Sequence, residues 1–358
     1  MAGAGNRKVP ERKKRCEDRP GKGRLRITAL AVCLLLFVGG CFLFARRYQG
    51  KTQVLCFSET EPAFDQPDEA FARSERVRNP FSDLCVPTLV TRIADTYFIV
   101  DCYHDQIIYS DSLDRPLQEW YVMTDQICRG HTLAGDGQVY LADDTENNRI
   151  LVFENKSGTY VHTQTLADIG IRPHYIVYRE EDGCFYAWSS MTGEMYVLRR
   201  EQDSTRVYLS EIRTVPSLQG CYVRSFTIMG DEIYFVSGNS SVIRADLSSF
   251  RILEEYPVPD AIAGMIQITW IDGYFYITVS TDKAGSQDAA TIIRTDDLAK
   301  LAYADYEDVY AAFIGGGTPY YISALDGRYY LTEHRLPGHS LWSFDSENGE
   351  ITDVVAVY

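Results

Sequence analysis

Apolar and polar positions along most of the chain follow one rhythm. Short runs of two to six apolar residues alternate with turn-forming Gly, Asp, Asn and Ser, and no stretch carries helical periodicity after residue 87. An aromatic or apolar-aromatic pair returns at Tyr97-Phe98, Val139-Tyr140, Phe185-Tyr186, Ile233-Tyr234, Phe275-Tyr276 and Tyr329-Tyr330. A second apolar run follows each pair and closes near an acid in most copies: Ile107-Ile108 to Asp111, Ile150 to Glu154, Met195 to Leu198, Val242 to Asp246, Ile292 to Asp296 and Leu341 to Asp345. Six copies of a module of about forty-five residues, built from short strands and turns, predict an all-β fold, a six-bladed β-propeller.

Each module divides into four strands. In the fourth, Arg224–Met229 reads as the inner strand, then Ile233–Ser237, Val242–Ala245 and Ile252–Val258 as the outer one. Gly230-Asp231, Gly238-Asn239-Ser240 and Asp246-Leu247-Ser248-Ser249 supply the turns. The modules cover about 87–125, 129–170, 172–218, 222–262, 264–316 and 318–358, and the hairpin at Asp282–Asp288 makes the fifth the longest. Blades of four strands end on an exposed edge, where Glu254, Glu255, Asp305 and Glu307 oppose unwanted pairing. The ring is expected to close by packing between blades with little strand exchange.

The second module resembles the NHL repeat over Val139-Tyr140-Leu141-Ala142-Asp143-Asp144-Thr145-Glu146-Asn147-Asn148-Arg149-Ile150-Leu151-Val152-Phe153. The resemblance covers these fifteen residues closely; the other five modules keep only the hydrophobic rhythm. It implies a propeller of the NHL-like or TolB-like type. Propellers of that type serve as lyases, lactonases, sensors and protein-binding platforms, so the resemblance does not choose an activity. The acidic stretch 143–148 lacks the spacing of a calcium loop and reads as the hairpin of this repeat.

Ahead of the propeller, Ile27–Ala45 is a run of nineteen residues without a charge. At ~1.5 Å per residue it matches the ~30 Å hydrocarbon core of a bilayer. It therefore reads as one N-terminal transmembrane helix. Ten Lys/Arg precede it, and Arg46, Arg47 and Lys51 follow. That asymmetry predicts a cytoplasmic N-terminus and an exported C-terminal domain. The expected layout is a basic tail at 1–26, a signal anchor at 27–45, a linker at 46–86 and the propeller at 87–358. Alternatives are a lipoprotein anchored at Cys41, after Val38-Gly39-Gly40, and a cleaved signal peptide. Pro62, Pro67, Pro80 and Pro87 leave space for a short helix around 68–77, and the apolar run Val54–Phe57 is placed to add a strand to the propeller or to plug one end.

Charge narrows the partners. The net charge is −15; residues 1–26 hold +7 and the three basic residues after the span +3, so residues 52–358 carry −25. Such a surface repels phosphate backbones, and no nucleic-acid partner is expected. Six cysteines fall in the exported part, Cys56, Cys85, Cys102, Cys128, Cys184 and Cys221. Disulfides are permitted there, but no spacing forms a framework or a CxxC, and buried small hydrophobes are the plainer reading. Asn155-Lys156-Ser157 and Asn239-Ser240-Ser241 match the glycosylation triplet.

Candidate chemistry lies where the inner strands begin, because they line the central channel. Two consecutive modules open on Arg-x-His: Arg129-Gly130-His131 and Arg172-Pro173-His174. Arg224, Gln267 and Tyr320 hold the corresponding places further on, and Thr88 in the first module. Planar guanidinium donors suit carboxylate or phosphate, and the two imidazoles can hydrogen-bond or gain charge beside an anion. The competing reading spends these side chains on backbone carbonyls and acids. Arginines disfavour a metal site, and two histidines do not complete one, so no metal and no cofactor are expected. His104, His162, His334 and His339 fall outside the inner strands and are expected on the surface or in loops. The function expected is a membrane-anchored binding or sensing module for an anionic small molecule, a glycan or an envelope protein. The alternatives are a lyase or lactonase-like hydrolase in the channel and a structural assembly platform.

Overall fold

A computed structural model describes residues 53–57, 65, 66 and 75–358. Six antiparallel sheets follow one another around a ring. Blade 1 comprises Pro87–Ile93, Thr96–Asp101, Gln106–Ser110 and Tyr121–Thr124. Blade 2 comprises Leu133–Gly135, Val139–Asp144, Arg149–Lys156 and Thr159–Leu166. Blade 3 has Pro173–Arg179, Cys184–Ser189, Glu194–Arg200 and Val207–Thr214. Blade 4 has Val223–Met229, Glu232–Ser237, Ser241–Asp246 and Ile252–Pro257, within two residues of the strands read from sequence. Blade 5 has Gly264–Ile271, Tyr274–Thr281, Thr291–Thr295 and a last strand of only Glu307–Asp308; blade 6 has Thr318–Leu325, Arg328–His334, Leu341–Glu347 and Glu350–Ala356.

The hydrophobic rhythm is explained by where the side chains go. Strand residues alternate between the two faces of a blade, and each face packs on a neighbour. The buried apolar residues accordingly form six clusters, one at each junction of adjacent blades. The aromatic landmarks lie inside these wedges: Phe98 packs on Tyr140 and Tyr160 between blades 1 and 2, with ring centroids 5.6 and 5.2 Å apart.

The four core strands of every blade are consecutive, so among the described residues none of these strands crosses between blades to close the ring. Closure of blade 6 on blade 1 rests on side chains. Thr332 Oγ1 donates to Thr88 O at 2.7 Å, and Asp326 accepts from Arg92 and Tyr97. Trp120 Nε1 donates to the Tyr358 hydroxyl at 3.0 Å, and that hydroxyl lies 2.6 Å from Arg115 O.

The outer edges differ from the expectation of bare fourth strands. Val77–Arg78 pairs with the outer strand of blade 1, Asp65–Gln66 with that of blade 2 and Gln53–Cys56 with that of blade 3. The linker thus caps three successive edges, satisfying backbone groups that would template aggregation. The run at Val54 adds a strand, one of the two roles its pattern allowed. Blades 4 to 6 end on their own outer strands, and Glu254 and Glu255 are exposed there. The helix expected around 68–77 ends instead in strand at Val77, paired with Val122; residues 67–74 lie outside the described ones, as do the span 27–45 and Cys41. Among the described residues no helix is long and apolar enough to cross a membrane.

All six cysteines of the described part are free. Cys102, Cys184 and Cys221 are buried, whereas Cys56 and Cys85 are exposed. His162 corrects the surface assignment: it is 2% exposed, and its Nε2 lies 2.9 Å from Gln164 O.

Candidate functional site

The channel-facing edge of an innermost strand has no sheet partner, so its N–H and C=O groups need other partners. Side chains of the adjacent blade provide them. Thr88 Oγ1 donates to His131 O at 2.7 Å, and Ile176 N donates to Thr132 Oγ1 at 3.0 Å. Ser225 Oγ donates to Ile266 O at 2.6 Å. Gln267 bonds both backbone groups of Ile322, accepting from N at 2.6 Å and donating to O at 3.2 Å. Gln267, a candidate ligand residue on sequence grounds, therefore has its amide engaged in the junction of blades 5 and 6.

One backbone device sets the rest of the site. The ladder between first and second strands skips at the start of the inner strand, leaving unpaired Thr88, His174, Arg224 and Ile266, and in blade 6 Tyr320 with Tyr321. Such bulges re-aim a side chain. In blade 2 the inner strand is cut to Leu133–Gly135, and His131 precedes it.

The two Arg-x-His segments are placed by a repeated hairpin. After the second strand of blade 1, a 3₁₀ turn at Cys102–His104 ends in left-handed Asp105; in blade 2 the turn Thr145–Asn147 ends in left-handed Asn148. Asp105 Oδ1 accepts from Arg129 N at 2.9 Å, and Asn148 Oδ1 from Arg172 N at 2.8 Å. Both arginines are themselves left-handed, with φ of 55° and 58°, which accounts for the common register of the histidines that follow.

Those histidines meet. The rings of His131 and His174 stack with centroids 3.7 Å apart and an interplanar angle of 26°. Nδ1 of His131 is 3.0 Å from Thr145 Oγ1, and Nε2 is 3.8 Å from Cys102 Sγ. His174 has Tyr222 OH 3.4 Å from Nε2 and Tyr321 OH 3.4 Å from Nδ1. Tyr320 lies alongside, its centroid 6.0 Å from His131. Beneath them Asp143 is fully buried and accepts from His131 N at 2.9 Å, Thr132 N at 2.6 Å, and the Thr132 and Thr145 hydroxyls at 2.7 Å each.

Burial dominates the proton affinities. It pushes the His174 pKa well below the ordinary 6.5, helped by His131, Arg224 and Arg172, so the ring is neutral at pH 7. His334, whose ring centroid is 6.4 Å from Tyr320, is lowered to about 4 by burial and by Arg335. Burial, then Asp143, raises the Cys102 thiol, which stays protonated beside His131. Burial likewise raises the Tyr320 and Tyr321 hydroxyls.

The arginines are unequally used. Arg172 pairs with Glu146 at 2.5 Å, both side chains being more than a third exposed. Arg129 stacks over Tyr103 at 4.0 Å from the ring centroid, and its Nη1 is buried without a hydrogen-bond partner. Arg224 donates to the Ser280 hydroxyl and lies 5.2 Å from the Tyr222 ring centroid. Arg335 donates to Thr318 Oγ1 and to the carbonyls of Gly317 and Gln287. Among the described residues none of Arg129, Arg224 and Arg335 has a carboxylate within ion-pair distance. Nor do three His, Cys, Asp or Glu side chains gather as a metal-binding group among them.

The structure thus brings His131, His174, Arg224 and Tyr320 together, sets Arg129 and Arg172 on their lead-in loops, and withdraws Gln267. Sequence reasoning missed Tyr222, Tyr321, Cys102, Thr145, Ser280 and His334. Four of these were within reach: Cys102, Thr145, Ser280 and His334 each stand four or five residues after the aromatic landmark of their blade.

No family model matches the chain, and no curated protein does. Among solved structures, a putative 6-phosphogluconolactonase from Bacteroides fragilis superposes with a TM-score of 0.55 at 12% identity, over 75% of this chain and 82% of that one. Its counterpart from Bacteroides uniformis gives 0.53 at 12% identity, over 72% and 80%. Virginiamycin B lyase from Staphylococcus aureus gives 0.51 at 15% identity, over 79% and 88%. At such identities the likeness is one of fold. The protein is a six-bladed β-propeller, as its NHL-like repeat implied.

Proposed function

We propose that the propeller is a binding or sensing module for an anionic small molecule, taken at the channel mouth lined by His131, His174, Arg224 and Tyr320. The observation that carries this reading is the unspent positive charge there. Residues 52–358 carry −25, yet Arg129 holds a buried Nη1 without a partner, and Arg224 has only a hydroxyl. A buried guanidinium nitrogen left unpaired costs on the order of 1–3 kcal/mol, which a carboxylate or phosphate oxygen offsets. The Tyr103 and Tyr222 rings lie against the faces of the two guanidinium groups, 4.0 and 5.2 Å from the ring centroids. In this reading the uncharged run 27–45 anchors the module in a membrane and displays it outside the cytoplasm.

Calorimetric titration of the full chain with inorganic sulfate and with benzoate tests the site. Saturable binding of either is expected, weakened about tenfold or more in Arg224→Ala, as the loss of one charge-assisted hydrogen bond implies. Binding that is indifferent to both Arg129→Ala and Arg224→Ala sinks the assignment. The anchor is tested separately: deletion of residues 1–45 is expected to release the protein from the membrane fraction.

A further inference from the structure

The anion reading leaves unexplained why two buried imidazoles are stacked face to face at the centre of the basic mouth. Their surroundings supply the reason. His174 faces His131 from the blade 2 lead-in, Tyr222 and Arg224 from blade 4, Tyr321 from blade 6, and Arg172 from its own lead-in loop. His131 faces Cys102 of blade 1, Thr145 and Asp143 of blade 2, and Tyr320 of blade 6. Both nitrogens of both rings are thus within reach of a hydroxyl or thiol that can donate or accept, so either ring can take a proton without losing its contacts. Asp143 lies 3.8 Å from His131 Nδ1. Its charge is already shared among four donors. His174 is held neutral by burial, then by His131, Arg224 and Arg172, and the stacked rings are surrounded by hydroxyl and thiol groups that can accept from an imidazolium.

We propose that occupation of the mouth by an anion is coupled to uptake of one proton by the stacked His131–His174 pair. An anion seated on Arg224 offsets the field of Arg224 and Arg172 that, with burial, excludes positive charge from His174. The released constraint admits one proton and not two, because two imidazolium rings at 3.7 Å repel. Linkage then requires the converse, that acidification tightens anion binding. The module reads anion and proton together, and this inference rests on the anion reading of the same site.

The test titrates the full chain with inorganic sulfate, which does not itself change protonation near neutrality. Two buffers of different ionisation heat are used at each pH from 8 to 5. The heats are expected to show uptake approaching one proton per bound sulfate near pH 6, with affinity rising by up to about tenfold per pH unit on acidification. In the double variant His131→Gln/His174→Gln, folded by near-ultraviolet circular dichroism, the uptake and the pH dependence are expected to vanish. His174→Gln alone is expected to reduce both. Sulfate binding without proton uptake and with flat affinity overturns the coupling while the anion site stands. Uptake that persists in the double variant also overturns it, by moving the proton elsewhere. If neither sulfate nor benzoate binds, the anion reading fails and the coupling with it.

Discussion

Blades 3 and 4 and blade 5 use the same backbone device for opposite ends. Each begins its inner strand with a bulge that turns one side chain out of the ladder. In blades 3 and 4 the bulged residues are His174 and Arg224, which meet at the mouth with Tyr222 and His131. In blade 5 the bulged residue is Ile266, its carbonyl takes the Ser225 hydroxyl, and Gln267 beside it ties both backbone groups of Ile322. One side of the ring spends its polar groups on closing the junction; the other gathers guanidinium and imidazole groups at one place. The fold thus fixes where a side chain is delivered, and residue identity decides whether that place is a seam or a site.

The comparison breaks most severely at Asp143, which supports the histidine side from below. Asp143→Ala leaves three buried donors without an acceptor, while Thr145 Oγ1 keeps Pro173 O at 2.9 Å, and a loss on the order of 3–5 kcal/mol is expected by denaturant unfolding. A loss near zero would mean that blade 2 holds His131 by other means. The next effect is pH. His174 and His334 have folded pKa values below the ordinary 6.5. In the interval from 6.5 down to about 4 for His334, the unfolded chain binds the proton and the folded chain does not. Stability is therefore full above pH 6.5 and lost as pH falls through that interval. His334 contributes on the order of 2 kcal/mol after allowance for its partial exposure. The loss is expected to shrink in His174→Gln and in His334→Gln; melting curves between pH 7 and 4.5 that overlay wild type would refute it.

The same contrast shows what the sequence could convey. Blade number, module bounds and strand order were legible because period-two burial writes itself directly into apolar and turn residues, as in Ile233–Ser237 and Gly238-Asn239-Ser240. The shared register of Arg129-Gly130-His131 and Arg172-Pro173-His174 was also visible. Whether these side chains meet was not, because His131 and His174 start consecutive blades one module apart, and the packing of blade on blade decides whether their rings touch. The engagement of Gln267 was hidden for a related reason: a polar residue facing the channel looks alike whether it awaits a ligand or satisfies Ile322. The capping of blades 1 and 2 by the linker escaped because strands as short as Val77–Arg78 and Asp65–Gln66 carry no periodicity.

Gln267→Ala sharpens the comparison from the closure side. It removes two hydrogen bonds to a buried strand edge, and a loss of roughly 2–3 kcal/mol is expected. Sulfate affinity should change no more than the altered stability accounts for. A specific loss of binding would return Gln267 to the site and erase the distinction between the two sides.

The smallest expected effect asks whether the ring is held mainly at its channel edge or at its rim. Tyr358 lies at the rim, where its hydroxyl accepts from Trp120 Nε1 and lies close to the Arg115 carbonyl. The Trp120 ring packs edge-on against it at 6.1 Å. Tyr358→Phe keeps the ring contact and removes only the hydroxyl, while Thr332 still reaches Thr88 O at the channel edge. A loss of about 1 kcal/mol is expected, because Trp120 Nε1 also lies 3.1 Å from Arg115 O and keeps that acceptor. Thr332→Val, measured alongside, removes the channel-edge bond and leaves Tyr321 N short of its acceptor, so it should cost more. If Tyr358→Phe proves the costlier of the two, closure is governed at the rim, and the channel edges of blades 6 and 1 have latitude to move with the site.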